Sequence, residues 1–352
     1  MKKFKTLIIA ALASLALVAC GPSNPSSSDN PSPSTPTPSE DNYQVKILAP
    51  KGAPSLAFYD MAADDNFETA EASHIKEEFG QKNYDMIVME FFTGLNTVKK
   101  SNSNYRLARI LTGGNLYLVS RSGKTTAPTS EDKVLAFGPG GLNGIPYLSL
   151  RKLYPEVNPD NIICLADGAS IQGALISGKY AGSQESGASS IDVDYVVIPQ
   201  PALAGAMAKL KEQNITPSIV SCLRDEASKI SNGEQKWVLQ AGLFVHKDLY
   251  NEHKAVFEAK FAQIDKNIET VLTNPEEVKT FIETALPDVN AQKQKFSCPT
   301  PMIPKISKNP KTPNGFGFIS KAEWDKVDVQ SFISFLGKTG PENNFEKYFL
   351  AR

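Results

Sequence analysis

The chain has 352 residues, 41% of them hydrophobic, and its 37 basic side chains balance 38 acidic ones. That near-neutral charge, with no basic stripe along the chain, excludes the electrostatic footprint of a nucleic-acid binder. Four cysteines and three histidines form no CxxC pair and no HExxH, so neither a disulfide framework nor a zinc site is expected.

At the start, Lys2, Lys3 and Lys5 precede an apolar run from Leu7 to Val18, broken only by Ser14. The run is shorter than the roughly 20 apolar residues that span a bilayer, and it suits the h-region of a signal peptide. It closes in Leu17-Val18-Ala19-Cys20-Gly21, which resembles the bacterial lipobox. That resemblance implies a leader over 1–19, acylation of Cys20 with palmitate-type chains, and an anchor on the extracytoplasmic face of the cell membrane. Several acyl chains hold stably, because each buried CH₂ contributes about 0.8 kcal/mol. Residues 20–42 then carry Pro, Ser, Thr, Asn and acids with nothing apolar to bury, and read as a disordered stalk. In polyproline II, at about 3.1 Å per residue, it would reach roughly 60 Å.

From Tyr43 onward, short β-branched runs alternate with helical periods, the pattern of a mostly parallel sheet wrapped by helices. Strands are predicted over 45–49, 84–89, 105–111, 116–119, 134–137, 162–165 and 195–198. Helices are predicted over 55–64, from Ile145-Pro146, over 171–177 with Ser170 as its cap, and over 202–213. After a strand-like 237–246, long helices are predicted over 247–273 and 275–286. An irregular stretch over 299–313 precedes a last helix over 321–336. The Ser/Gly-rich stretch between Tyr180 and Asp192 reads as a surface loop. One bridge among Cys164, Cys222 and Cys298 is possible, and its partners are not defined by spacing.

The chemistry concentrates in the loops. Ligands of open parallel sheets bind beyond the carboxyl ends of the strands, where Gly, Pro, Asn and Ser expose backbone N–H groups and helix N-termini. Here those ends are Lys51-Gly52-Ala53-Pro54-Ser55, Glu90-Phe91-Phe92-Thr93 and Gly113-Gly114-Asn115. Further along come Gly140-Gly141-Leu142-Asn143, Asp167 with Ser170, and Gln200. Any one of these could be a simple turn; several, each at a strand end, point to a shared binding cleft. A carboxylate at Glu90 beside Phe91 and Phe92 suits a flat heterocycle with N–H donors better than an acceptor-only anion.

At Val45 to Pro54, Tyr84 to Val88, Leu107 to Val119, Gly173 to Lys179, Asp194 to Ala202 and Gly242 to Val245, the chain resembles the type 2 periplasmic-binding-protein fold. The likeness is to the branch serving nitrate, sulfonate, taurine and thiamine-precursor importers. It implies an α/β protein of two lobes, lobe one over 43–117 and 239–352 and lobe two over 118–238. The strands at 116–119 and 239–243 would be the two crossings. It also implies a monomer that delivers a small organic molecule to the permease subunits of an ABC importer, with no cofactor. The sequence departs from the branch in the Ser/Gly-rich loop and in Glu90-Phe91-Phe92, which breaks a carry-over of nitrate or sulfonate specificity. No GxSxG, Walker A or GxGxxG motif is present, so an enzyme is not expected. A same-fold enzyme acting on a small carboxylate and a surface adhesin remain as alternatives.

Overall fold

The computed structural model describes residues 42–181, 190–310, 312 and 314–351. The leader, Cys20, the Pro/Ser-rich stalk except Asn42, and residues 182–189 of the Ser/Gly-rich loop lie outside the described residues.

In chain order, β1 (Ile47–Pro50) is followed by a 3₁₀ segment, Ala53–Met61, and by β2 (Phe67–Ala70) and α1 (Ala72–Gln81). Then come β3 (Met86–Glu90), α2 (Phe91–Ser101), β4 (Tyr105–Ile110), β5 (Leu116–Ser120), β6 (Val134–Phe137) and α3 (Ile145–Leu153). The middle holds β7 (Ile162–Leu165), α4 (Gly168–Ser177), the short β8 (Lys179–Tyr180) and β9 (Ile191–Asp192), β10 (Tyr195–Pro199), α5 (Ala202–Glu212), β11 (Ser218–Cys222) and α6 (Leu223–Ile230). The last part is β12 (Ala241–His246), α7 (Lys247–Glu252), α8 (Lys254–Thr273), α9 (Pro275–Ala285), α10 (Val289–Phe296), α11 (Met302–Ser307), α12 (Lys321–Trp324) and α13 (Val329–Phe335).

Two five-stranded sheets organise the chain, in the orders β2-β1-β3-β12-β4 and β11-β5-β10-β6-β7. In the first, β1, β2 and β3 are parallel and β12 runs antiparallel to both β3 and β4. In the second, β6, β7 and β10 are parallel and β5 is antiparallel to β10 and β11. Helices flank both sheets, giving the expected two-lobed α/β architecture, and the central strands β1, β5, β10 and β12 are buried along their whole length.

The crossings lie elsewhere than expected. Leu116 and Tyr117 pair with Pro199 and Ile198 in the second sheet, so the first crossing is the stretch 111–115 rather than the strand itself. The second runs up to Gln240, just before β12. The two crossings hydrogen-bond side by side, Val238 N to Gly113 O at 2.9 Å and Gln240 N to Thr112 O at 2.8 Å. The segment 317–319 straps the first: Gly113 N donates to Gly317 O at 2.8 Å and Ile319 N to Leu111 O at 2.9 Å.

Several local expectations need correction, the last helix among them: expected over 321–336, it breaks into α12 and α13. The helix expected over 55–64 is a 3₁₀ segment, with a proline in its first turn and Phe58 out of helical geometry (φ −124°, ψ 27°). Ser170 does not cap α4; Asp167 does, its Oδ1 accepting from Ser170 N at 2.7 Å. The helix expected over 247–273 breaks at His253 into α7 and α8, and the tail assigned to lobe one touches both lobes. There, Phe332 of α13 packs on Phe91 of the first lobe, and Lys152 of α3 in the second lobe lies 5.2 Å from the Phe335 ring. Cys164, Cys222 and Cys298 are free.

Candidate ligand-binding cleft

The carboxyl ends of β1, β3, β6, β7 and β10 converge on a cleft of about 720 Å³ between the lobes. The first lobe contributes Lys51, Gly52, Ala53, Pro54, Glu71 and Glu90. The second contributes Phe137, Pro139, Asp167, Gln172, Gln200 and Pro201. The floor is made by the crossings, through Thr112, Asn115 and Gln240. The lobes touch on both flanks: a Cβ on Gly52 would lie 3.8 Å from Pro201 Cδ, and Gly140 packs against the Thr93 hydroxyl.

Of the residues expected at the site, Lys51, Gly52, Ala53, Pro54, Glu90, Asn115, Asp167 and Gln200 line the cleft. The others fall outside its lining, for identifiable reasons. Ser55 is fully buried and its Oγ donates to Gly52 O at 2.7 Å. Gly113 packs on Ile319 and Trp237, and Gly114 on Arg224, behind the floor. Gly140 is wedged between Gly144 and Thr93, while Leu142 is 59% exposed and Asn143 beside it is exposed too. Ser170 is held by Asp167 in the first turn of α4.

The expected pairing of a carboxylate with a stacking ring at Glu90-Phe91-Phe92 is overturned. β3 passes into α2 without a loop, so Glu90 ends the strand and caps the helix, and Phe91 and Phe92 are the first helical residues. Phe91 and Phe92 are both buried, against Phe332 and Phe345. Glu90 is the N-cap, accepting from Phe92 N at 3.2 Å and Thr93 N at 2.8 Å, with the Thr93 hydroxyl also donating to it. Burial pushes its carboxyl up to about 7, against the pull of the Thr93 hydroxyl and the N–H groups of Thr93, Phe92 and Ile145. Ile145 opens α3 in the other lobe, so helix starts from both lobes face this one carboxyl group. Phe137 is the one aromatic ring in the lining among the described residues.

Other lining residues escaped the sequence reading. Gln172, Ile176, Gly205, Ala208 and Lys209 lie on the sides of α4 and α5, and Lys293, Ser297, Cys298, Pro299 and Met302 lie around α10 and α11. None is at a strand end, the signal used to find the rest. Gln240 did carry a signal, as the one polar residue inside Val238-Leu239-Gln240-Ala241-Gly242-Leu243. Burial raises the Cys298 thiol to about 12, which makes it an inert part of the wall.

Two of the three lysines in the lining are already paired. Lys51 is tied to Glu71 at 2.9 Å and Lys209 to Glu212 at 3.0 Å, and Asp167 is engaged by Ser170. With prolines 50, 54, 139, 199, 201 and 299 in the walls, the cleft is mostly apolar and poor in backbone donors. Its walls are mostly apolar, and polar side chains stand at its floor. Among the described residues no group of His, Cys, Asp and Glu is arranged to hold a metal ion, and no helix is long and apolar enough to cross a membrane.

No protein-family model and no curated protein matches this sequence. Solved structures do match the fold. An ABC transporter protein from Parabacteroides distasonis superposes with a TM-score of 0.60 at 16% identity, over 88% of this chain and 98% of that one. The periplasmic aliphatic sulphonate binding protein SsuA from Escherichia coli gives 0.54 at 10%, over 88% and 93%. The ligand binding component of an ABC-type import system from Staphylococcus aureus gives 0.51 at 11%, over 71% and 82%. The chain therefore has the two-lobed fold of the ligand-binding components of ABC importers.

Proposed function

We propose that the chain is an exported, lipid-anchored solute-binding protein that captures a small organic molecule and hands it to the permease of an ABC importer. The observation that carries this reading is the cleft of about 720 Å³ enclosed between two lobes joined by paired crossings. Its size falls within the roughly 300–1,000 Å³ usual for small-molecule sites, which likewise combine apolar walls with a few placed polar groups. The lipobox-like Leu17-Val18-Ala19-Cys20 supports an anchor outside the cytoplasm, and the mature protein acts as a monomer.

A thermal-shift screen of the mature chain against a broad panel of small nutrients tests the reading. At least one compound is expected to raise the melting temperature and to lower the radius of gyration in small-angle scattering, as lobes closing on a ligand require. A panel without any hit would refute it. Membrane fractionation with fatty-acid labelling tests the anchor, which Cys20→Ala should abolish.

A further inference from the structure

We infer that the ligand is held through an uncharged group with a hydrogen-bond donor beside an acceptor, such as a carboxamide, lactam or ureide edge, by Asn115 and Gln240 on the cleft floor. This rests on the cleft being the ligand site and narrows the ligand to a chemical class.

The two side chains come from the two crossings and are 4% and 7% exposed. Asn115 Oδ1 is buried without a hydrogen-bond partner, and the Gln240 side chain bonds to no other described residue. Their backbones are fixed: Gln200 N donates to Asn115 O at 3.0 Å, Phe91 N to Gln240 O at 2.7 Å, and Gln240 N to Thr112 O at 2.8 Å. Buried amides are nearly always paired, because an unmet donor or acceptor forfeits its hydration without return. The unmet Asn115 oxygen and the unpaired Gln240 amide both belong to the cleft lining, and mark the place where a ligand supplies the partners.

Each amide offers one acceptor and two donors. Around them, Thr112 Oγ1 accepts from Ala241 N at 3.3 Å, which leaves its O–H to donate, and Gln200 Oε1 accepts from Ala204 N at 3.1 Å, which leaves its N–H₂. A group with a donor and an acceptor satisfies this set. An acceptor-only oxyanion would engage the donors and leave the Asn115 oxygen unmet. It would also bring a charge to a lining without arginine, where two of the three lysines are already paired, Lys51 with Glu71 and Lys209 with Glu212. Desolvating an uncompensated charge is far costlier than desolvating a neutral polar group.

Matched triples on one apolar body decide the class: nicotinamide, nicotinate and pyridine-3-sulfonate, and benzamide, benzoate and benzenesulfonate, titrated calorimetrically into the mature chain. The carboxamide of each triple is expected to bind about ten-fold or more tightly than its charged partners. Asn115→Leu and Gln240→Leu should each cut that affinity by a similar factor while leaving the ligand-free melting temperature unchanged or raised. Tighter binding of a carboxylate or sulfonate, indifference to both substitutions, or silence from every member would overturn the inference. So would a marked fall in ligand-free stability in both variants, which would make the amides structural. A broad-panel hit that is an acceptor-only anion would overturn it while leaving the binding-protein reading intact.

Discussion

The two lobes are built on one strand order and differ in what they offer the cleft. In each, the second strand lies outside the first, the third follows, then an antiparallel strand that arrives from the other lobe, then the fourth. β12 enters the first sheet from the second crossing, and β5 enters the second sheet from the first crossing. Because each sheet is completed by a strand the other lobe delivers, the crossings must run side by side, and the cleft must open above them. The cleft-facing ends then diverge. The first lobe presents charges that are already engaged, Lys51 with Glu71 and Glu90 with the start of α2. The second presents Phe137, prolines and amides. Architecture is shared between the halves, and chemistry is not.

The tail is what most directly ties the halves together. Phe332 is buried against Phe91, while Phe335 beside it receives Lys152. Phe332→Ala should therefore lower stability by about 3–5 kcal/mol, as truncation of a buried aromatic does, in one cooperative transition read by denaturant melts. If the melt instead splits into two steps, the lobes are separate folding units and the tail belongs to only one of them.

The helix caps sharpen the comparison next, since each lobe starts a cleft-side helix with a carboxylate. Glu90, largely enclosed, is raised from an ordinary 4.5 to about 7 by burial. A group bound more tightly to its proton when folded contributes stability below its unfolded value, and that contribution is lost as pH rises through 4.5 to about 7. Glu90→Gln does not titrate. Its stability relative to wild type should accordingly rise across that window, by up to roughly 1.4 kcal/mol per pH unit and no more than about 3 kcal/mol in all. Urea melts at several pH values read the difference; a flat profile would mean that the donors around Glu90 balance its burial, and a reversed slope that they outweigh it. Its counterpart Asp167 is half-buried, and Asp167→Ala should cost about 1 kcal/mol through the lost cap.

How much of this was legible depended on whether the chain announced its turns. Val134–Phe137 and Ile162–Leu165 stand in the structure where the sequence places them, because each is a short apolar run closed by glycine or acid. Phe67–Ala70 was invisible: it is four residues long, with Glu68 and Thr69 at its centre, and lies at the sheet edge. Phe91 and Phe92 were misplaced because no Gly, Pro or Asn separates β3 from α2, and a glutamate caps the helix in place of the commoner Ser, Thr, Asp or Asn. Much of the cleft was missed for a related reason. Strand ends can be read from turn residues, but the sides of α4, α5 and α10 enter the site only through tertiary packing.

The smallest effects come from making one change in each half. Gly317 in the strap and Gly178 after α4 both have left-handed backbones, with φ of 65° and 73°, so Gly→Ala strains each by a similar amount. Their surroundings differ. A Cβ at 317 would sit 2.5 Å from Asn115 N and 2.6 Å from Gly114, which are backbone atoms of the first crossing. At 178 it would meet the Arg121 guanidinium at 3.0 Å, and a long side chain can move aside. Gly317→Ala should therefore cost about 1–3 kcal/mol, and Gly178→Ala about 1 kcal/mol. Function should separate them further. A displaced crossing shifts Asn115 on the cleft floor, so Gly317→Ala should also weaken ligand binding, whereas Gly178→Ala should leave affinity unchanged. Equal losses of affinity in the two variants would show that the floor is not positioned by the strap.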